Sequence, residues 1–166
     1  MGFLSRLFGR TTPIDYSKYH TLEITVAGTS YKQKELKEYF IDLIDYEKYD
    51  GLSTSEIKSM YSEGDTIYEM PYKTDLFTDC ELIPEPNNEY DKNAIKVVGD
   101  DIHIGYIPKD RCKEVFNIME SITNIDMYAY GGKYKEIYCD IDSGKEKIRS
   151  GKKDYGIILE ILYKEN

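Results

Sequence analysis

The run Asn87-Asn88-Glu89-Tyr90-Asp91-Lys92-Asn93 gathers an aromatic ring, acids and three carboxamides in a connection longer than two neighbouring strands require. Asn and Asp side chains bond the backbone of their own loop, so such a segment holds one shape and presents Tyr90 and Asp91 from a rigid support. A tyrosine ring, apolar in its body and polar at its tip, suits both half-buried strands and stacking on bases. Catalytic patterns fail elsewhere in the chain. A phosphate-cradling loop needs a leading Gly and a trailing Ser or Thr, and Gly132-Lys133, Gly144-Lys145 and Gly151-Lys152 lack both. Asp140, Asp142 and Gly144 have the look of a calcium loop, but Lys145 stands where its sharp-turn glycine belongs, and they read as strand-end acids. Two histidines and no GxSxG offer little for a hydrolase, and His103 reads as a strand residue. We therefore expect no catalysis and no cofactor.

The elements around the loop follow from hydropathy periods and turn residues. Residues 94–98 and 102–107 are β-branched runs joined by Gly99-Asp100-Asp101, a hairpin, and Pro84 and Pro86 close the preceding strand at Ile83. Leu22, Ile24 and Val26 alternate along a first strand at residues 21–27, after which Gly28-Thr29-Ser30-Tyr31-Lys32 lifts Tyr31 off the strand end. Over residues 33–49, Leu36, Tyr39, Phe40, Leu43 and Ile44 form the stripe of a core-facing helix, and Ser53 with Glu56 forms a capping box for a second short helix ending near Gly64. Strands are expected at residues 66–70 and 76–83, and a helix from Pro108 to about Ile122 that turns Cys112, Val115, Phe116, Met119 and Ile122 inward. Residues 125–130 and 133–141 read as a hairpin across Gly131-Gly132, residues 142–154 as a polar, lysine-rich loop, and residues 155–163 as a closing strand. The fold class is mainly β with peripheral helices (α+β): a small OB-like or SH3-like β-barrel with a helical insertion after its first strand.

A length of 166 residues fits one domain. Residues 1–20 read as an amphipathic tail, with Phe3, Leu4, Leu7 and Phe8 opposite Arg6 and Arg10, and residues 21–166 as a single domain with a helical insert at 33–63. A net charge of −9 argues against a protein that coats nucleic acid through many Lys and Arg contacts, though not against one that holds a strand terminus through few phosphates. Cys80, Cys112 and Cys139 include no CxxC pair, so buried thiols in a reducing cytoplasm are expected and no metal site. No apolar run approaches a membrane span and no secretory h-region is present, so we expect a soluble, cytoplasmic protein without a membrane partner.

The string PEPNNEYDKNAIKV, with GYIPK after it and VAGTSY at residues 26–31 before it, resembles the HIRAN domain, and the resemblance spans roughly residues 22–163. It implies a small OB-related barrel, found beside helicase motors in fork-remodelling proteins and also alone in bacterial and phage proteins. In understood members the barrel face between these segments captures the 3′ end of single-stranded DNA. By this resemblance Tyr31 matches a base-stacking ring, and Tyr90 with Asp91 the pair that meets the terminal nucleotide, its carboxylate accepting from the 3′ hydroxyl. Tyr106 and Lys109 match phosphate-contacting positions, Lys32 and Asn88 lie in the same motif segments, and Tyr130 or Tyr134 stands for a later stacking ring. Ser30 and Lys32 replace an Arg and a second Tyr of the end-binding members.

The expectation is a non-catalytic module that binds single-stranded DNA at its 3′ hydroxyl end in DNA processing or repair. The alternative is a protein-interaction domain that recruits a partner through its acidic surface, the tail at 1–16 or the insert at 33–63.

Overall fold

The computed structural model describes residues 16–44, 49–76 and 79–165. The tail residues Phe3, Leu4, Leu7 and Phe8, and the last turn of the helix expected up to Tyr49, lie at least in part outside them. Strands dominate, in the order β1 (Tyr19–Thr25), α1 (Gln33–Tyr39), α2 (Thr54–Met60), β2 (Thr66–Asp75), β3 (Cys80–Pro84), β4 (Ile95–Gly99), β5 (Ile102–Tyr106), α3 (Cys112–Ile118), β6 (Ile122–Asp140) and β7 (Lys145–Lys164). The mainly β, α+β class holds. The strands form two antiparallel sheets, β1-β7-β6-β2 and β3-β4-β5, that do not close into the expected barrel.

The sheets meet where the chain leaves β1. The Val26 N–H still donates to Ile157 O on β7 at 2.9 Å, but Ala27 crosses to β5, with Ala27 N to Tyr106 O at 2.8 Å and Tyr106 N to Ala27 O at 2.9 Å. Only a glycine fits opposite this crossing: a Cβ on Gly105 would stand 2.3 Å from Ala27 O. Between the sheets lie Ile24, Val26, Ile95, Val97, Ile104, Met127, Ile157 and Leu159, with Leu36 and Phe40 of the first helical segment and Val115 of α3 closing the core. The stripe expected for that segment is thus inward, but α1 is short, ending at Tyr39 before a 3-10 turn at Ile41–Leu43. On α3, Cys112 and Val115 are buried whereas Phe116, expected inward, is 38% exposed, and the helix ends at Ile118 in a 3-10 turn at Met119–Ser121.

The largest departure concerns the C-terminal half. Gly131-Gly132 is not a turn. Both residues sit at positive φ, +106° and +81°, inside one continuous strand of 19 residues, and mark a bulge between the pairs Tyr130–Gly156 and Gly132–Lys153. The lysine-rich segment expected as a loop is the first half of β7, which pairs with β6 from Lys145 onward. The reversal comes instead at residues 141–144, where Asp140 Oδ1 accepts from Ser143 N at 2.9 Å and Ser143 Oγ at 2.6 Å. The two strands therefore run beyond the main core as an arm, whose inner face, with Ile137, packs on Ile67 of β2 and Ile57 of α2. The Ser53–Glu56 capping box is present at the start of α2. β2 likewise runs past its expected end at Met70, absorbing Pro71 in a bulged stretch where Lys73 takes φ +59° and pairs with Glu23 at 2.6 Å and with Glu160. Among the described residues, no helix is long and apolar enough to cross a membrane.

Candidate nucleic-acid interface

Asn88 organises the loop between β3 and β4. Its Oδ1 accepts from Tyr90 N at 3.0 Å and from Asp91 N at 3.1 Å, while its Nδ2 donates to Glu85 Oε2 at 2.9 Å. Asp91 continues the pattern: Oδ1 accepts from Asn93 N at 2.9 Å, and Oδ2 lies 3.8 Å from Lys109 Nζ. One carboxylate oxygen thus serves the loop, and the other faces a lysine that is 85% exposed and lightly held. The rigid support leaves Tyr90 projecting into solvent, 93% exposed.

Glu85, between the two prolines, joins this loop to the outer face of the smaller sheet. It accepts from Tyr106 Oη at 3.2 Å and pairs with Lys96 at 3.1 Å. Lys96 and Tyr106 are cross-strand partners and so share a face. A register shift between Val97 and Val98 brings His103 beside them, its ring edge-on to Tyr106 at 4.9 Å. The hydrogen bond from Asn88 and then that from Lys96 hold the Glu85 carboxyl below its usual range. Burial first, then the Glu85 charge, pushes the Tyr106 hydroxyl up, so it remains a donor. Burial and the nearby Lys32 ammonium push His103 down, which makes it a neutral ring at pH 7. Beside Tyr106 an open depression is lined by Pro84, Glu85, Pro86, Asn88 and Tyr90.

The turn that follows the Ala27 crossing carries Tyr31 and Lys32. Gly28 takes φ +82° and its carbonyl accepts from Tyr31 N at 3.2 Å, a tight reversal that throws the Tyr31 ring outward, 91% exposed. Neither α1 nor α2 covers it. The fold therefore places Asn88, Tyr90, Asp91, Tyr106 and Lys109 in one connected neighbourhood, with Tyr31 and Lys32 on the other side of β5. Tyr130 is not part of it: that ring lies over Gly156 in a separate pocket with Tyr68 and Lys153.

Glu85, Lys96 and His103 belong to this face and were not singled out from the sequence. The signals were present, a glutamate locked between Pro84 and Pro86 and a lysine at the outward position of AIKVV, but only the strand register shows that they converge. Among the described residues no group of His, Cys, Asp and Glu is arranged to hold a metal ion.

A model of the HIRAN domain matches residues 54–141, just over half of the chain. The chain belongs to the HIRAN-domain family, whose domain is a nucleic-acid-binding module. The matched span includes the loop, the β4–β5 hairpin and Lys109, begins within the expected insert at α2, and leaves out the turn with Tyr31 and Lys32. Searches of curated proteins and of solved structures find no match.

Proposed function

We propose that this chain is a non-catalytic module that binds single-stranded DNA at its 3′ hydroxyl end, in DNA processing or repair. The observation that carries the reading is the pairing of a fully presented ring, Tyr90, with a carboxylate, Asp91, whose backbone nitrogens are both fixed by Asn88. A 3′ hydroxyl is a donor that an internal phosphodiester lacks. An acceptor at Asp91 Oδ2, displacing the loose contact with Lys109, favours an end over the middle of a strand and repels a terminal phosphate. Tyr90 and Tyr31 supply faces for bases, and Lys109, Lys32 and Tyr106 supply donors for the few phosphates that an acidic protein can hold. The domain boundaries follow the same reading: one unit from the start of β1 at Tyr19, two residues before the expected boundary at residue 21, with the helical segment 33–63 beside the binding face, and the residues before it as an appendage.

Fluorescence anisotropy of a short labelled oligonucleotide, ending in either a 3′ hydroxyl or a 3′ phosphate, tests this. The hydroxyl form binds about tenfold tighter, the worth of one charge-assisted hydrogen bond, and Asp91→Ala removes the difference. Equal weak binding of both forms, or none at low salt, contradicts end capture.

A further inference from the structure

The arm formed by β6 and β7 carries a second feature that end capture does not use. Its inner face is closed by Ile57 and Ile67, but its outer face presents tyrosines and cations. Tyr134 lies flat over Gly151 and Tyr130 over Gly156: a Cβ there would stand 2.4 and 2.3 Å from the respective ring Cζ atoms. Tyr68 of β2 meets the Tyr134 ring at 5.8 Å. Between them reaches Lys153, its Nζ 5.1 Å from the Tyr68 centroid and 5.7 Å from that of Tyr134, donating to Tyr68 Oη at 2.7 Å. Tyr68, Met70, Tyr130, Gly131 and Lys153 line an open pocket of about 350 Å³. Further out, Arg149 stacks on Tyr138 at 5.3 Å while bonding Glu136 through two nitrogens, each at 2.9 Å.

The charge of this arm is opposite to that of the chain. Residues 133–153 hold seven Lys and Arg against four Asp and Glu, in a protein whose net charge is −9. The pocket already contains an ammonium group, so a cationic guest would meet repulsion there. A flat, neutral heterocycle linked to an anion fits instead, the ring among the tyrosines and the anion at Lys153.

We infer that this pocket is a second subsite for single-stranded nucleic acid: it takes an unpaired base from within a strand, stacked between Tyr68 and Tyr130, with Lys153 turning from Tyr68 Oη to the neighbouring phosphate. The inference requires a nucleic-acid ligand but not end capture, because no carboxylate residue lines the pocket to select a terminal hydroxyl.

The test uses the full chain and a 5′-labelled oligothymidylate, roughly 16 nucleotides long, that ends in a 3′ phosphate so that end recognition does not contribute. Lys153→Glu, at an exposed position, lowers its affinity about tenfold and Tyr68→Leu by a similar factor. Both variants keep the wild-type ratio between hydroxyl-ended and phosphate-ended strands, whereas Asp91→Ala alters that ratio. In a second measurement, photo-crosslinking with 4-thiothymidine in the strand interior gives adducts on peptides containing Tyr68, Tyr130 or Tyr134. Affinities of both variants within about twofold of wild type, smaller than the loss of one stacked base, overturn the inference. So do crosslinks confined to other segments, which also decide the matter if Tyr68→Leu does not fold.

Discussion

Asn88 never needs to touch a ligand to matter, because its side chain sets the backbone from which Tyr90 and Asp91 project. Asn88→Ala removes two bonds to loop nitrogens and one to Glu85, leaving the part-buried Asp91 N–H to find water; we expect a loss of about 1 kcal/mol in chemical denaturation. Weaker oligonucleotide binding should accompany it. Unchanged stability together with unchanged binding would show that the loop holds its shape without this residue. Glu85 makes a pH prediction. Its carboxyl sits below the ordinary glutamate value of 4.5, chiefly through Asn88 and then Lys96. A carboxyl lowered on folding stabilises the fold above its unfolded value, and that contribution disappears as pH falls through the folded value. Thermal melts of the wild type should therefore lose stability below pH 4.5 through this group, and Glu85→Gln should lack that component of the acid limb. Coincident acid limbs would remove Glu85 from the account.

At the scale of elements, the bulge in β6 marks where the arm leaves the main core. A Cβ on Gly131 would stand 2.2 Å from Asp154 O, at φ +106°, whereas Gly64, at φ +91°, has nothing within 4 Å. Gly131→Ala should therefore cost more than about 2 kcal/mol, and Gly64→Ala only the backbone strain of about 1 kcal/mol, in parallel denaturant titrations. Equal costs would mean that the strands shift to accept a methyl group at the bulge. The same bulge marks where the sequence stopped being legible. The β4–β5 hairpin could be read because Gly99-Asp100-Asp101 interrupts two β-branched runs, and Asp100 and Asp101 do take φ +47° and +63°. The capping box before α2 was legible for a similarly local reason. Gly131-Gly132 carries the same local signal, but the choice between turn and bulge depends on the pairing of β6 with β7, which no short window contains. Residues 145–153 were read as a loop for want of an apolar face. The strand there is held by pairing with β6 and by ladders such as Arg149 with Glu136, so polarity did not exclude it. The expected barrel failed on a comparable point, since closure is decided by strand order.

For the whole molecule, the net charge of −9 is unevenly spread, with residues 133–153 holding seven Lys and Arg against four Asp and Glu. Tyr90 and Asp91 stand out as candidates within one compact loop, whereas Tyr31 and Tyr106 became candidates through the resemblance to the family. Their support by Glu85, Lys96 and His103, and the separation of Tyr130 from them, became visible only once β3, β4 and β5 were paired. The central claim is that the outer face of this small sheet, bounded by the Asn88 loop and the Tyr31 turn, receives the end of a strand. It is tested most directly by following backbone amide shifts of isotope-labelled protein during titration with a thymidine oligonucleotide that carries a free 3′ hydroxyl. The account predicts that Tyr31, Lys32, Asn88, Tyr90, Asp91 and Tyr106 shift together and saturate at one concentration, and that a 3′ phosphate diminishes the changes at Tyr90 and Asp91. Amides on this face that stay still while the oligonucleotide perturbs other parts of the protein would contradict it.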